Sequence, residues 1–335
     1  MDRKITIAAV ILVLGAVFAF WRLPAKNTGA PKKEIILGVD FSDTFSSPVL
    51  VAEDQGYFRD AGLAVKIIEY PSGRTAISDM VEKKNLDVVT VAQTPVMYNS
   101  FFHDNYAVIA GMSSSYDAGG LLLARKAKGI SAVSNLKGRK IGTPVGSTGH
   151  FFLNLFLIHN RLKIQDVQII DIDAPSLPGA LADGRIDAIS IWQPQIYKAQ
   201  KMLGGNTIIL PGKNIYRVDF YLAADKNFIK QNKEALKGLL KAVDRAEDFI
   251  LKNKEKSIDI VSSRMKMDRN IVAAIWDQYQ FKLFLDQAIL TDLEAEARWA
   301  IANKYTPAAK APDYRKFIHT DILESIKPEA VNLIH

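Results

Sequence analysis

The chain has 335 residues, of which 48% are hydrophobic and 24% charged, enough apolar material for two domains with real cores and too much for a disordered or fibrous polymer. The formal charge of +7 is unevenly placed. Residues 1–30 hold four basic groups and one acid, so only +4 is left for the rest, where lysines and acids are interspersed without a basic stripe. Nucleic acid is therefore not an expected partner.

In chain order, Arg3 and Lys4 precede the uncharged run Ile5–Trp21. As a helix it would reach about 25 Å, near the lower end of spanning length. It reads as a signal sequence or an N-terminal membrane anchor. Bulky side chains in Phe18-Ala-Phe-Trp-Arg22 stand where a signal peptidase wants small ones, and there is no cysteine to carry a lipid. An uncleaved anchor with the body exported is the favoured reading, a cleaved signal the alternative. With its Pro/Gly/Lys linker this segment occupies residues 1–33.

The body then alternates strands and helices. Strands are expected at Glu34–Asp40, Val65–Tyr70, Leu86–Ala92 and Ala107–Gly111, with helices over Val49–Arg59 and from Arg74 through Lys83, and a turn at Gln93-Thr94-Pro95. That pattern predicts an α/β fold with a parallel sheet covered on both faces. Gly120–Ala124 reads as a crossing strand. A second set follows: strands at Arg139–Gly142, Val167–Asp171, Ala188–Trp192 and Ile208–Leu210, helices after Ser147 and over Leu177–Leu181, and a return strand at Asp219–Ala223. The expected organisation is a first lobe from 34–124, an inserted lobe from 125–215, and a return strand with C-terminal helices from 216–335 that dock on the first lobe. No strand is expected after Asn227. The aromatic residues Trp276, Tyr279, Phe281, Phe284 and Trp299 read as packing groups.

Ligands of open α/β sheets bind outside the carboxyl ends of strands. Loops expected at that edge include Phe41–Pro48, with Ser42 and Asp43, then Gln93 and Thr94, the serine loop reaching Ser115 and Tyr116, and the segment Gly142-Thr-Pro-Val-Gly-Ser-Thr-Gly-His150. The last joins a strand to an apolar helix. Its glycines and hydroxyls, at Gly146, Ser147 and Thr148, make an anion site of backbone N–H groups and side-chain donors, suited to a sulfonate, carboxylate or nitrate. The competing reading is that Ser147 or Thr148 only caps the helix. Trp192 offers an apolar wall or is a core residue, and Gln193 beside it offers an uncharged amide. His150 is either a ligand donor or a contact to a neighbouring lobe. Tyr216 and Tyr221, with Asp117, lie near the expected crossings as further wall candidates.

Catalysis has little support. The five histidines lack a metal-ligand spacing, there is no Gly-x-Ser-x-Gly elbow, and Gly142–Gly149 lacks the Gly-Lys-Ser/Thr ending of a nucleotide loop. No catalytic residue, cofactor or metal is assigned.

Several ordered segments carry a resemblance: Ser47-Pro-Val-Leu-Val-Ala-Glu-Asp-Gln-Gly-Tyr-Phe58 with Gly62-Leu63, Leu136-Lys-Gly-Arg-Lys-Ile-Gly142, Gly146-Ser-Thr-Gly-His150, Gly184-Arg-Ile-Asp-Ala188, Ile191-Trp-Gln-Pro194 and Phe220-Tyr-Leu-Ala-Ala224. In these the chain resembles the extracytoplasmic substrate-binding proteins of ABC importers for nitrate, taurine and alkanesulfonates, including related thiamine-precursor binders, from about Glu34 through residue 300. The resemblance implies a two-lobed periplasmic-binding-protein fold of type II. It also implies a small organic anion as ligand, an ABC permease with a cytoplasmic ATPase as partner, and a monomer outside the cytoplasm, held to the inner membrane if residues 5–21 stay uncleaved. Relatives commonly contact ligand through the first-strand loop, the segment at Gln93-Thr94-Pro95 and the Ser147/Thr148 helix start. The position matching Gln193 is frequently acidic and engages a substrate amine, so glutamine here favours an unaminated acid. Alternative functions are a membrane-tethered ligand sensor, or an enzyme of a pyrimidine or menaquinone precursor pathway on the same scaffold.

Overall fold

The structure, a computed structural model, describes residues 33–333 except 117–119 and 213. The apolar segment 5–21, the 1–33 unit but for Lys33, and Asp117 lie outside the described residues. Strands β1 (Lys33–Asp40), β2 (Leu63–Tyr70), β3 (Val88–Ala92) and β4 (Tyr106–Ser115) open the fold, followed by β5 (Leu121–Arg125), β6 (Lys140–Thr143), β7 (Gln168–Asp171), β8 (Ala188–Ile191) and β9 (Thr207–Leu210). The chain ends with β10 (Val218–Asp225), β11 (Gln280–Asp286) and β12 (Val331–Asn332). They form two sheets, one of seven strands in the order β12-β11-β4-β10-β3-β1-β2 and one of five in the order β7-β6-β8-β5-β9.

Both sheets are mixed, which corrects the expectation of a purely parallel sheet. β1 pairs parallel with β2 and β3, but β10 is antiparallel to β3 and β4. β10 comes back from the second sheet without a crossover helix, and that removes the constraint that keeps strands parallel. β5, expected as a crossing strand, pairs instead with β8 and β9 inside the second sheet. The chain therefore changes sheets between β4 and β5 and again between β9 and β10.

Helices cover the sheets. The stretch Val49–Arg59 is broken in two, α1 (Ser47–Asp54) and α2 (Tyr57–Asp60), because Gly56 turns with φ +72°. α3 (Gly73–Lys83) follows, and Gln93-Thr94-Pro95 opens the helix α4 (Gln93–Asn99) where a turn is predicted. Pro95 lies in the first turn, where a missing N–H loses no helical bond. α5 (Thr148–His159), α6 (Leu177–Ala182) and α7 (Gln195–Leu203) pack in the second half, and α8 (Lys226–Gln231), α9 (Lys233–Lys252), α10 (Lys254–Met265), α11 (Arg269–Ile275), α12 (Ala288–Ala302) and α13 (Asp321–Glu324) complete the chain. α9 buries Leu236, Leu239, Leu240, Val243 and Ile250, spaced by three and four residues, with α1 as a neighbour. Each such side chain contributes about 1.5–3 kcal/mol.

The expectation of no strand beyond Asn227 fails at β11. Phe281, Leu283 and Leu285 point inward while Gln280 and Lys282 face solvent, a period of two that a helical setting on both sides conceals. β11 covers the edge of β4, all ten residues of which are buried. The aromatic packing groups are buried, apart from half-buried Phe284.

Where the two sheets meet, polar groups are buried and tied together. Gln93 Nε2 donates to the Arg217 carbonyl at 3.0 Å, and its Oε1 accepts from the Asp219 amide. Tyr216 donates to Glu296 Oε1 at 2.6 Å and lies 3.2 Å from the Thr94 hydroxyl. Glu296 is only 1% exposed and its Oε2 has no hydrogen-bond partner among the described residues, so burial pushes its carboxyl up from 4.5 to about 8. In the second sheet, α5 lies against β8 so closely that a Cβ on Gly149 would stand 2.7 Å from the Ser190 carbonyl oxygen, and Ser190 Oγ donates to the Gly149 carbonyl at 2.7 Å.

Two expectations follow from this packing. Gly149→Ala must push α5 off a backbone atom that cannot turn away, and should lower stability by about 1–3 kcal/mol in urea unfolding; an unchanged midpoint refutes the close contact. Glu296 holds its proton more tightly when folded than unfolded, so stability should fall as pH rises from about 4.5 to about 8. Melting temperatures across that range should show a shallower fall in Glu296→Gln, which keeps an acceptor for Tyr216.

Candidate functional site

β1 and β3 end at a cleft whose far wall comes from the second sheet. Two helix starts meet there, and the chain treats them differently. At α3, Ser72 accepts from the Thr75 amide at 3.3 Å, and the Gly73 amide donates to Asp40 Oδ2 at 2.6 Å. A Cβ on Gly73 would be 2.9 Å from the Val91 Cα and 3.0 Å from the Thr90 carbonyl oxygen, so glycine lets this terminus reach the sheet. Asp40 ends β1, and its Oδ1 accepts from the Ser42 amide at 2.7 Å. A carboxylate of the protein itself thus occupies the positive end of α3.

The start of α5 has no such occupant. Ser147 stands at the cap position with its carbonyl accepting from the His150 and Phe151 amides, but its side chain makes no cap bond, since the hydroxyl donates to the Pro144 carbonyl at 2.6 Å. The first amides, at Thr148 and Gly149, are left without a side-chain cap, and the reading of Ser147 as only a cap is not what the chain adopts. Ser147 and Thr148 line the inner chamber with Asp40, Asp43, Phe45, Ser72, Gly73, Arg74, Ala92, Pro95, Trp192, Val218 and Phe220. The chamber is tight, ≈ 20 Å³, about the room for one water. A second cavity of ≈ 270 Å³ shares Ser72, Arg74, Ser147 and Trp192 and continues over Pro144 and the stretch 173–176.

Two contacts bridge the walls. Trp192 Nε1 donates to Ser42 Oγ at 3.1 Å, and Arg74 donates from Nη1 to the Val145 carbonyl at 2.6 Å while its Nη2 lies 3.6 Å from Asp173. Phe45 stacks on Phe220 at 5.1 Å and meets Tyr279 edge-on at 4.8 Å, which makes a rigid apolar floor. Burial raises the Asp40 carboxyl, and it raises Asp43 well above its ordinary value, with the charge of Asp40 adding to the effect.

The structure divides the residues expected from sequence. Asp43, Ser147, Thr148 and Trp192 come together on the cleft, with Ser42 bonded to the Trp192 indole. Gln93, Thr94 and Tyr216 are engaged in the network between the sheets and do not line the cleft cavities. Ser115 donates to the Gln278 carbonyl, Tyr116 is half exposed beside a separate cavity, and Tyr221 is wholly buried in β10. Gly146 makes the turn before α5 with φ +82°. His150 is fully buried against Trp299 and Tyr305, with ring centres 4.9 and 4.6 Å away; its Nδ1 accepts from the Gly146 amide and burial takes its pKa down to about 4. It contacts the C-terminal helical region, the second of its two expected roles. Gln193 Oε1 accepts from the Tyr197 amide in the first turn of α7 and lines neither cleft cavity. Asp40, Ser72, Arg74, Phe45 and Phe220 are cleft residues that sequence reasoning missed; the position of Asp40 at the carboxyl end of a strand was the signal available for it.

Relatives agree with this architecture. A Brucella abortus protein provisionally named a binding protein is 32% identical over 148 residues, 42% of this chain and 46% of the relative, so the match spans about half of that protein's length. A Bacillus subtilis protein provisionally named an aliphatic sulfonates-binding protein is 29% identical over 246 residues, 72% of each chain. Among solved structures, the periplasmic aliphatic sulphonate binding protein SsuA of Escherichia coli matches with a TM-score of 0.70 at 19% identity, covering 85% of this chain and 97% of SsuA, a likeness of fold. The model of the family described as NMT1/THI5 like matches residues 43–257, and the chain belongs to that family.

Proposed function

We propose that this protein reversibly binds a small organic anion, of the sulfonate or carboxylate type, between its two lobes and delivers it to an ABC permease outside the cytoplasm. The observation that carries this reading is the uncapped start of α5, where Ser147 and Thr148 meet Trp192 on the cleft. Backbone amides at a helix start attract an acid group, hydroxyls add donors, and the indole supplies apolar surface for a tail. The ≈ 270 Å³ cavity sets the tail's size at a few heavy atoms beyond the acid group. Support also comes from the relatives' names, which refer to binding, in one case of aliphatic sulfonates, and from the periplasmic origin of the structural neighbour.

In this reading the seven-stranded sheet with its helices forms one lobe and the five-stranded sheet, which takes in β5 from Leu121 onward, the other, so the boundary lies before 121 and not at 124, and the chain works as a monomer. Residues 5–21 hold it to the inner membrane or direct its export. Closure brings Trp192 to Ser42 and Arg74 to Val145, and a ligand favours the closed form only by contacts it gains there. No covalent step is required.

Native mass spectrometry followed by calorimetry with alkanesulfonates, small carboxylates and nitrate tests the reading. Saturable binding of an acid without turnover is expected; turnover of the bound compound, or binding of none of these acids, overturns it. Thr148→Ala should weaken acid binding by about tenfold, the loss of one hydrogen bond to a charged group, while the melting temperature moves little.

A further inference from the structure

We propose that the ligand carries, besides its acid group, a cationic or N–H-donating nitrogen, and that Asp43 receives it. The inference rests on the reading of the Ser147 and Thr148 end as the acid-binding end, and it names the chemistry of the opposite end.

Two acids face the inner chamber, and their states differ. Each Asp40 oxygen already has a partner: Oδ1 accepts from the Ser42 amide at 2.7 Å and Oδ2 from the Gly73 amide at 2.6 Å. Asp43 is 5% exposed, lines the same chamber, and accepts one hydrogen bond, from the Phe45 amide to Oδ1 at 2.8 Å. An ionised carboxylate has room for about four donors, so Asp43 keeps most of its capacity and directs it at the cleft.

The surroundings make that capacity costly to leave unmet. Phe45, Ala92, Val218 and Phe220 are apolar, and Arg74, the one cationic side chain on the chamber wall among the described residues, is turned to the Val145 carbonyl and Asp173. A buried carboxylate in such a place either takes up a proton or finds a donor. Burial together with the charge of Asp40 holds the Asp43 carboxyl well above its usual range, and a ligand nitrogen would let it ionise. A plain anion, by contrast, must approach the Asp40 carboxylate and gains at most the single O–H of a protonated Asp43. The argument for an unaminated acid from the neutral Gln193 loses its footing, because that amide is used on the Tyr197 amide. The acidic partner comes from the first lobe instead.

A matched set of probes tests this on the full 335-residue chain. Calorimetry compares propanesulfonate with 3-aminopropanesulfonate, propionate with 3-aminopropionate, and propylamine alone, on the native protein and on Asp43→Asn. Asparagine keeps a carbonyl acceptor for the Phe45 amide, and its melting temperature verifies folding. The aminated acids should bind at least about tenfold more tightly than their unaminated partners, the worth of a charge-assisted hydrogen bond. Asp43→Asn should erase that preference and leave the affinity for propanesulfonate unchanged or higher. Equal or tighter binding of the unaminated acids to the native protein, or a preference that survives in Asp43→Asn, overturns the proposal without reference to the variant's stability in the first case. Binding of propylamine alone, lost in Asp43→Asn and not improved by an added acid group, keeps the Asp43 site and sinks the acid-binding reading. Failure of every probe overturns both.

Discussion

The cleft depends on how closely a helix can approach a sheet edge. At Gly149 the backbone of α5 comes so near β8 that a Cβ would meet the Ser190 carbonyl oxygen at 2.7 Å, and at Gly73 the backbone of α3 comes as near β3. With any larger residue, each helix start would be held away from the ends of the strands. These two contacts, one in each sheet, set the positions of Ser147 and Thr148 on one wall and of Ser72 and Arg74 on the other. Trp192, directly after β8, gains its place from the same constraint because Ser190 is bonded to Gly149.

Equal geometry at the two helix starts does not give equal chemistry. Asp40 neutralises the start of α3 from within, so that terminus is a structural joint. Ser147 turns its hydroxyl back to Pro144, so the start of α5 stays available to an outside acid. The cleft is thus chemically two-sided, with the α5 amides and hydroxyls on the second sheet's side and the buried carboxyl groups of Asp40 and Asp43 on the first. A ligand with one kind of charge satisfies one wall, whereas a ligand with both satisfies the pair, and this asymmetry is what a generic anion cradle lacks.

The sequence made the alternation of strands and helices legible because buried strands here are short apolar runs closed by glycine, proline and polar turns, as in Glu34–Asp40 and its loop. It also made the α5 start legible, since glycine and hydroxyl residues between a strand and an apolar helix have a direct physical meaning. What stayed hidden depended on pairing. β11 alternates inward and outward side chains over only seven residues inside a helical region, and only its place on the edge of β4 makes it a strand. Arg74 read only as the start of a helix, and its link to Val145 spans 71 positions of sequence. Gln93 and Thr94 sit where ligand loops belong, but β10 returns antiparallel beside β3 and takes their polar groups for itself. Trp192 and Gln193, neighbours in the chain, part company because one side chain points across the cleft and the other caps α7.

A binder that must release its ligand cannot be locked shut by its own contacts. The two hydrogen-bonded bridges across the cleft are of modest strength: one neutral hydrogen bond from Trp192 to Ser42, worth about 0.5–1.5 kcal/mol, and an Arg74 contact partly open to solvent, where the ion pair to Asp173 adds little; the larger contact between the halves is the aromatic packing of His150 and Phe151 on Trp299 and Tyr305. Beneath them the Phe45, Phe220 and Tyr279 rings form a floor that belongs to one lobe and need not rearrange. In the proposed reading, a ligand that joins the α5 amides to the first-lobe wall adds to these contacts and favours the closed form. On the proposal made for Asp43, the modest hydrogen-bonded bridges and its remaining acceptor capacity are two sides of one arrangement, in which a bound molecule supplies the stabilisation that the cleft's own side chains do not.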